Sequence, residues 1–418
     1  MVKLGLVIHQ SIKSLTIMIV KKISQLILFT LVVGTTYAQT NDSISNKLTN
    51  ELNKIATDGS LVGFSVAIVN EEGTLYENGF GFADKKANIK YTEKTLQNIG
   101  SISKTFIGVA LLKAQELGKL HLDDDINDYL PFKVVHPKFK NTPITIRQLA
   151  SHTSSIKDPA EYESKGYILK EAENGTAKVN GNFLPPSEMM SLGDYLKAIL
   201  SEDGQWYKKK TFSKYSPGGM FNYSNIGAGL AAYVLEQATG ESFPEFTQKH
   251  IFDPLEMTSS GWSFDTIDFS MHSKLYADQD TELAFYKLVN YPDGGLITSS
   301  HDLAKYLSEI IKGYGGNGVI LSAEGYKELF IPQLTDENHK DRSDKEYNDE
   351  YNMGVFMGIS SKGQIGHTGG DPSVVTHMFF NEKTKVGKLL LVNTELDKES
   401  VQDFIAIWRA LIAHENEF

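Results

Sequence analysis

Alternating apolar and polar residues near both ends of the chain predict β-strands. Residues 63–84, GFSVAIVNEEGTLYENGFGFAD, alternate on either side of NEEG, which is typical of two antiparallel strands joined by a turn. Similar strand patterns occupy roughly the last hundred residues, in YNMGVFMGI, GQIGHTGG and VVTHMFFNEKTKVGKLLLVNTE. The predicted strands therefore lie towards both termini.

Helical patterns fill the middle of the chain and flank the predicted strands. Gly118 and Gly240 are suited to end helices, because glycine readily adopts the left-handed conformation that follows many helix C-termini. In the first half of the chain we predict helices over 41–57, from the 99–107 segment as far as Gly118, at the start of TIRQLASHTSS (145–155), and over 224–240. In the second half we predict a helix in FPEFTQKHIFDPLEM that ends at its proline, and one within 293–318 that follows a glycine turn and is capped near Ser300. The last predicted helix is ESVQDFIAIWRALIAH.

Strands at both ends with helices between them favour an α/β fold of the α+β kind. We expect an antiparallel sheet built from both termini and flanked by helices, with a mainly helical subdomain inserted at 105–290. Residues 156–216 have the weakest periodicity, and we interpret them as a lid-like insertion, since long loops in compact domains tend to be functional. A cleft between sheet and subdomain would then hold a site.

Composition and charge exclude several classes of function. The 418 residues carry a formal net charge of −11, which argues against a nucleic-acid partner because such proteins usually present a basic face. There is no cysteine, so disulfides, thiol catalysis and thiolate metal sites are all excluded. No motif indicates a metal site or another cofactor, and we expect none. The expected partner is a small-molecule or peptide substrate.

The N-terminal region has the layout of a secretory signal. In MIVKKISQLILFTLVVGTTYAQ (18–39), two lysines precede a short apolar stretch that ends in small residues at Ala38. We predict a signal peptide over 1–38, with Met18 as an alternative start, cleavage after Ala38, and a secreted or periplasmic protein. The apolar stretch is short for a membrane span, so we expect no stable membrane insertion after cleavage. An uncleaved anchor is the alternative.

The segment NIGSISKTF (99–107) places a serine and a lysine at the start of an apolar helix. Ser101 and Lys104 are three residues apart and would share one face of the helix. Burial of a lysine favours its neutral form, which can take or relay a proton from a serine hydroxyl. The alternative is structural: Ser101 would cap the helix and Lys104 would extend to the surface.

Two further motifs follow in order, a Y-x-N at Tyr223 and Asn225 and an H-T-G at His367 to Gly369. With S-x-x-K at Ser101, this order resembles class C serine β-lactamases, penicillin-binding proteins of the carboxypeptidase group, and related esterases and D-amino-acid peptidases. The phrases LDDDINDYLP, TIRQLASHTS, DPLEMTSSGW and GGLITSSHDLAKY are also similar to this family. The resemblance covers roughly 40–415, and it implies one catalytic domain over 39–418.

The resemblance implies a role for each motif residue. Ser101 would be the nucleophile that forms an acyl-enzyme, and Lys104 would hold and share its proton. Tyr223 would be the partner base, although the sequence leaves open whether Tyr223 or Lys104 takes the proton. Asn225 would bind a substrate amide and help to orient Lys104.

The H-T-G segment would bind substrate along a strand. The backbone N–H groups of Ser101 and Gly370 would form the oxyanion hole, while Thr368 and Gly369 would line the substrate. His367 stands where penicillin-binding enzymes have lysine, and it would either donate to a substrate oxygen or lie beside Tyr223. A histidine that serves only the strand structure is the alternative.

The departures from the family pattern shape the predicted function. H-T-G in place of K-T-G favours a serine hydrolase of small esters or amides, including D-amino-acid-containing peptides. The alternatives are a true β-lactamase or D-alanyl-D-alanine carboxypeptidase, and a catalytically silent binding or sensor protein on the same fold. Ser155 stands where relatives usually have glycine, so we expect a different turn there, and the long 156–216 segment would reshape the substrate pocket.

Overall fold

The largest sheet has eight antiparallel strands drawn from both ends of the chain. The computed structural model describes residues 43–339 and 352–418, so the predicted signal peptide lies outside the described residues. In chain order the strands are β1 (Gly63–Asn70), β2 (Gly73–Asp84), β3 (Ile89–Lys90), β4 (Gln97–Asn98), β5 (Tyr167–Leu169), β6 (Leu275–Tyr276), β7 (Glu282–Leu283), β8 (Tyr286–Leu288), β9 (Ile297–Thr298), β10 (Asn352–Met353), β11 (Gly358–Ile359), β12 (Gln364–Asp371), β13 (Val374–Asn381) and β14 (Gly387–Val392).

The strand order of this sheet is β10-β11-β12-β13-β14-β1-β2-β3. The two termini meet where β1 pairs with β14, with Val66 opposite Leu390 and Ala67 opposite Leu389. Three two-stranded sheets, β4-β9, β5-β8 and β6-β7, complete the strands. The predicted antiparallel sheet built from both termini is therefore confirmed.

Ten helices are described, and they cover the sheet and form the inserted region. They are α1 (43–58), α2 (Ser103–Glu116), α3 (Ile146–Ala150), α4 (Ala160–Gly166), α5 (Leu192–Leu200), α6 (Asn225–Thr239), α7 (Phe243–Thr247), α8 (Ser300–Tyr314), α9 (Ala323–Phe330) and α10 (Ser400–His414). A π-helical turn, Gln248–Phe252, continues α7 towards the expected proline. Within the described residues, no helix combines the length and apolarity needed to cross a membrane.

Both faces of the central strands are buried, because helices cover the sheet on each side. On β1, Phe64, Val66 and Ile68 pack with side chains of α1 and α10, such as Leu48 and Phe404. The alternate residues of β1 face the larger core that includes α2 and α8. Each large apolar side chain buried in this way contributes roughly 1.5–3 kcal/mol to folding. This double burial explains the nearly continuous apolar run of β1 and β14.

Helix α2 passes through the larger core and carries the motif lysine. Its residues from Ser103 to Leu112 are all buried, so the helix lacks a solvent face. Gly118 follows the helix with a φ of 66°, as predicted for a terminating glycine. Gly240 ends α6 in the same way, with a φ of 75°. The burial of α2 explains why its sequence is apolar on almost every side.

The segment 156–216 contains more regular structure than its sequence pattern suggests. It includes α4, β5 and α5, and in α5 the side chains of Tyr195, Leu196 and Ile199 are completely buried in the larger core. Ser191 caps α5 by accepting a hydrogen bond from the backbone N–H of Asp194 at 3.1 Å. Part of the segment is therefore core, and its role as a lid stays a prediction.

Candidate active site

Ser101 lies in a tight turn that enters helix α2. Residues Gly100–Ile102 form a 3₁₀ turn immediately before the helix, and Ser101 remains half-buried. Gly100 has a φ of 54°, and a Cβ added there would lie 2.7 Å from Gly370 N. Only glycine fits this close approach. The turn therefore presses the serine backbone against strand β12.

Lys104 is completely buried one helical turn above Ser101. Its Nζ donates a hydrogen bond to Ser101 Oγ at 2.8 Å and another to the carbonyl oxygen of Asp293 at 2.7 Å. The predicted pairing of serine and lysine on one helix face is thus observed. The surface-directed alternative for Lys104 is excluded by its burial, and its Nζ is held in reach of the serine hydroxyl.

Tyr223 precedes α6 and packs among three groups of the site. Lys104 Nζ lies 5.2 Å from the centroid of the Tyr223 ring. The ring centroids of His152 and His367 lie 4.3 Å and 6.2 Å from that of Tyr223. The structure therefore brings the three sequence motifs together around Ser101.

His152 was not among the predicted site residues, although it lies within the phrase TIRQLASHTS. It is buried, and its Nδ1 accepts a hydrogen bond from the backbone N–H of Ser224 at 3.2 Å. Burial first, then the positive charges of Lys104 and His367, hold the pKa of His152 well below its ordinary value. A neutral imidazole therefore supports the Tyr223 ring.

Asn225 begins α6 and is bound by a carboxylate that the sequence analysis missed. Its side-chain Nδ2 donates to Asp158 Oδ2 at 2.9 Å. Asp158 also accepts hydrogen bonds from the backbone N–H groups of Asn225 and Ile226, each at 3.0 Å, and from Ser224 Oγ at 3.0 Å. Asp158 thereby caps α6 and fixes the Y-x-N segment. The predicted action of Asn225 on Lys104 and substrate stays a prediction.

Strand β12 carries the H-T-G motif beside the nucleophile turn. A Cβ added at Gly369 would lie 2.1 Å from the carbonyl oxygen of Ile99, so this glycine permits the contact between strand and turn. Gly370 is exposed, with no atom within 4 Å of an added Cβ. Gly369 makes room for the turn and Gly370 faces open space, while the substrate-binding role of both glycines and the oxyanion role of Gly370 stay predictions.

His367 is buried on β12, and a hydrogen bond to a backbone carbonyl determines which of its ring nitrogens carries a proton. Its Nδ1 lies 2.5 Å from the carbonyl oxygen of Thr368, which can only accept a hydrogen bond. Nδ1 therefore carries a proton. Of the two predicted roles, the position beside Tyr223 agrees with the structure, and Thr368 itself is half-buried next to it.

Two carboxylates border the other side of the Ser101 turn, and neither was predicted. Asp293 is buried, and its Oδ2 accepts from Asn290 Nδ2 at 2.6 Å. Burial raises its pKa to about 6, against the opposing effect of Lys104. Asp371 ends β12 and accepts from the Tyr167 hydroxyl at 2.9 Å. Burial, followed by the charge of Asp293, raises the pKa of Asp371 to about 7.

Two other features bear on the limits of the site. An apolar cavity of about 260 Å³ includes Asn98, Tyr291 and Gly295 in its lining but not Ser101, so this cavity does not mark the position of the serine.

Ser155 has a φ of 72° and donates a hydrogen bond to the carbonyl oxygen of Tyr215 at 2.8 Å. Serine thus occupies a conformation that favours glycine. Across the described residues, no group of three histidine or acidic side chains could hold a metal ion.

Comparison with known families and proteins places this geometry in context. Residues 46–412 match the family described as Beta-lactamase. A curated relative, Protein flp of Staphylococcus aureus (strain N315), is 26% identical over 278 residues, which cover 64% of this chain and 49% of flp. The chain therefore spans about half the length of the curated relative that it matches.

Two solved structures share the fold across most of the chain. The octameric penicillin-binding protein homologue from Pyrococcus abyssi has a TM-score of 0.67 and 22% identity, covering 89% of this chain and 77% of that chain. The D-amino acid amidase from Ochrobactrum anthropi SV3, complexed with D-phenylalanine, has a TM-score of 0.64 and 18% identity, covering 88% and 99%. At these identities the likeness shows the fold alone.

Proposed function

This chain belongs to the Beta-lactamase family, and on that premise we propose that it is a serine hydrolase that cleaves a small ester or amide through an acyl-enzyme on Ser101. The hydrogen bond of 2.8 Å between the buried Lys104 Nζ and Ser101 Oγ carries the proposal. A basic group within hydrogen-bond reach of a serine hydroxyl is the arrangement that activates such a nucleophile. The D-amino acid amidase among the fold neighbours supports D-amino-acid-containing substrates as one class.

Acylation follows from the positions of the side chains. Ser101 Oγ attacks the substrate carbonyl carbon while its proton passes to Tyr223 or Lys104. The negative charge that develops on the carbonyl oxygen is stabilised by the backbone N–H groups of Ser101 and Gly370, since donors held in place act without reorganisation. The bond to the leaving amine or alcohol then breaks, and the leaving group takes up the proton.

Deacylation returns the enzyme to its starting state. A water molecule attacks the acyl carbon, giving one proton to the same base, and the ester bond to Ser101 Oγ breaks. Ser101 recovers its proton and the acid product leaves. The buried, uncharged His152 beside Tyr223 restricts the movement of the phenol without adding charge. This assignment gives His152 a positioning role.

We also propose that the protein acts outside the cytoplasm, as a secreted or periplasmic enzyme. The lysine pair, apolar stretch and small residues of 18–39 support this location. Comparison of the N-terminal residue of the protein from the cell and from the culture medium tests it. A mature chain that begins at Gln39 is expected, and an intact N-terminus retained in membranes would contradict cleavage.

The proposed function is tested by intact-mass spectrometry after incubation with a fluorophosphonate probe. A single adduct is expected on the parent protein and on Ser308→Ala, a variant at a buried serine of α8, and none on Ser101→Ala. A panel of p-nitrophenyl esters, D-amino-acid amides and a chromogenic cephalosporin then separates esterase or amidase from β-lactamase. Absence of an adduct on folded parent protein would favour the silent binding role.

A further inference from the structure

Strand β12 presents two different side chains on either side of the nucleophile turn. Successive side chains of a strand point to opposite faces, so His367, Gly369 and Asp371 share one face. That face is turned towards Ser101, because a Cβ added at Gly369 would lie 2.1 Å from the carbonyl oxygen of Ile99. The turn therefore lies over Gly369, with His367 towards one end of the strand and Asp371 towards the other.

The Asp371 carboxylate lies close to the backbone of the Ser101 turn. A Cβ added at Gly294 would lie 2.9 Å from Asp371 Oδ2 and 3.7 Å from Gly100 C, so Gly294 packs between these two residues. Gly294 follows Asp293, whose carbonyl oxygen accepts a hydrogen bond from Lys104. Asp371 is only half-buried as a residue and follows the exposed Gly370, so this end of β12 reaches the surface.

The Asp371 carboxylate lacks a bound positive charge. Its Oδ1 accepts from the neutral hydroxyl of Tyr167 at 2.9 Å. Throughout residues 43–339 and 352–418, Asp371 forms no ion pair with lysine, arginine or histidine. The neighbouring Asp293 adds to the negative charge and helps to raise the pKa of Asp371, and this effect exceeds the opposing effect of Lys104. A ligand that supplied a cation here would relieve an unfavourable concentration of negative charge.

The ring arrangement decides which part of the substrate would reach Asp371. Tyr223 and His367 lie together, and here we take Tyr223 as the group that returns the proton to the leaving group. The leaving group would therefore lie towards His367, and the acyl part would extend along β12 towards Asp371. A substrate carboxylate at that position would be repelled, whereas an ammonium would be attracted.

We propose that Asp371 selects substrates whose acyl part carries a free ammonium group, as in an amino-acid amide or ester. The carboxylate binds the ammonium by a charge-assisted hydrogen bond and so positions the carbonyl carbon at Ser101 Oγ. The Tyr167 hydroxyl orients the carboxylate from behind. This inference rests on the proposed function, since it identifies the substrate class of that same site.

The kinetic test compares one substrate with and without its positive charge. D-phenylalanine amide and N-acetyl-D-phenylalanine amide are each assayed with the parent, with Asp371→Asn and with Glu395→Gln. Glu395→Gln is the control, because it removes an exposed carboxylate whose negative charge also acts on Asp371. The parent is expected to prefer the free amine. In Asp371→Asn this preference in kcat/KM should fall roughly 10- to 100-fold, as for loss of a hydrogen bond to a charged group, with most of the change in KM. Glu395→Gln should keep the preference within about threefold.

A binding test separates this inference from the proposed function. Calorimetry with Ser101→Ala measures the dissociation constant of D-phenylalanine amide, with and without Asp371→Asn. Weaker binding in the double variant supports the ammonium site even if no fluorophosphonate adduct forms on the parent. A parent that forms the adduct but shows no preference for the amine, or a preference that survives Asp371→Asn in folded protein, overturns the inference and leaves the proposed function intact. A parent that neither binds nor hydrolyses the amine also overturns it.

Discussion

The Ser101 turn separates two sides of the site that differ in charge. On one side, here called the ring side, Tyr223 packs on His152, and burial keeps that imidazole neutral. On the other, here called the carboxylate side, Asp293 lies close enough to Asp371 that its charge disfavours ionisation of Asp371. The ring side thus excludes fixed negative charge, while the carboxylate side concentrates it.

This difference assigns different tasks to the two sides. A base that takes a proton from Ser101 must lie within reach of it, and the ring side provides Tyr223 beside Lys104. A group that positions a cationic substrate works best where negative charge is only partly compensated, which the carboxylate side provides. Substitutions on the ring side should therefore reduce the chemical step, and substitutions on the carboxylate side should alter recognition and pH dependence.

The largest effect is expected at the turn between the two sides. Ser101→Ala should lower kcat/KM for a p-nitrophenyl ester by on the order of 10⁴-fold or more, since it removes the attacking oxygen. Steady-state hydrolysis measures this loss, with Ser308→Ala as the serine control. If Ser101→Ala hydrolysed the ester at the parent rate, Ser101 would not be the nucleophile. The comparison of the two sides of its turn would then no longer describe the active site.

On the ring side, Tyr223→Phe removes one hydroxyl and leaves the ring packing. We expect kcat to fall about 10²- to 10³-fold with an unchanged melting temperature, as for loss of a general base. The matched control is Tyr233→Phe, at a half-buried tyrosine within α6, and this variant should keep the parent activity. Near-normal kcat in Tyr223→Phe would leave Lys104 as the base.

Behind the ring side, Asp158→Ala removes the carboxylate that caps α6 and holds Asn225. The free energy of unfolding should fall by roughly 2–3 kcal/mol, because several hydrogen bonds to one charged group are lost together. Urea unfolding measures it, with Ser322→Ala at the cap of α9 as an ordinary cap that should cost about 1 kcal/mol. Equal losses in the two variants would show that Asp158 is no more than a helix cap.

On the carboxylate side, Asp293 should make stability depend on pH. Its pKa is raised from 3.8 to about 6 in the folded protein, so the native state holds the proton more tightly than the unfolded state. The free energy of unfolding should therefore decrease as pH rises from about 4 to about 6, by no more than roughly 3 kcal/mol, and this contribution should then level off. Asp371, with a pKa of about 7, extends the same trend to about pH 7.

The variant Asp293→Asn removes this contribution and should reduce the pH dependence over that range, leaving the part due to Asp371. Urea unfolding at pH 4.5, 5.5 and 6.5 measures the change. The exposed Glu202→Gln variant should retain the parent slope. A parent whose stability rises with pH across this window, with no change in Asp293→Asn, would contradict the description of Asp293 as a buried acid.

Local sequence predicted the Ser101–Lys104 pair at the turn better than the groups on either side of it, for a physical reason. Ser101 and Lys104 are neighbours through helix geometry alone, so an S-x-x-K spacing already implies their contact. Asp371 and Tyr167 are 204 residues apart, and their hydrogen bond exists only because β12 and the 156–216 segment meet. No spacing in the sequence encodes that meeting.

Burial was also harder to predict than element type. The helix before Gly118 and the strands of 63–84 follow from local patterns, and the structure contains both. The 156–216 segment looked irregular, yet Tyr195 in α5 is completely buried in the larger core. Helix α5 has an amphipathic pattern of its own, but it is only nine residues long, and a helix that short depends on tertiary packing for its stability.

The sequence by itself determined the order of strands and helices, the three motifs and the pairing of Ser101 with Lys104, because these depend on backbone periodicity and spacing. The tertiary structure alone decided which groups surround that pair. Tyr223 lies just before α6, His152 lies in the loop after α3, and Asp371 lies at the end of β12. Burial and mutual charge then set the ionisation of these groups, and both are properties of distance in space, which the order of residues does not specify.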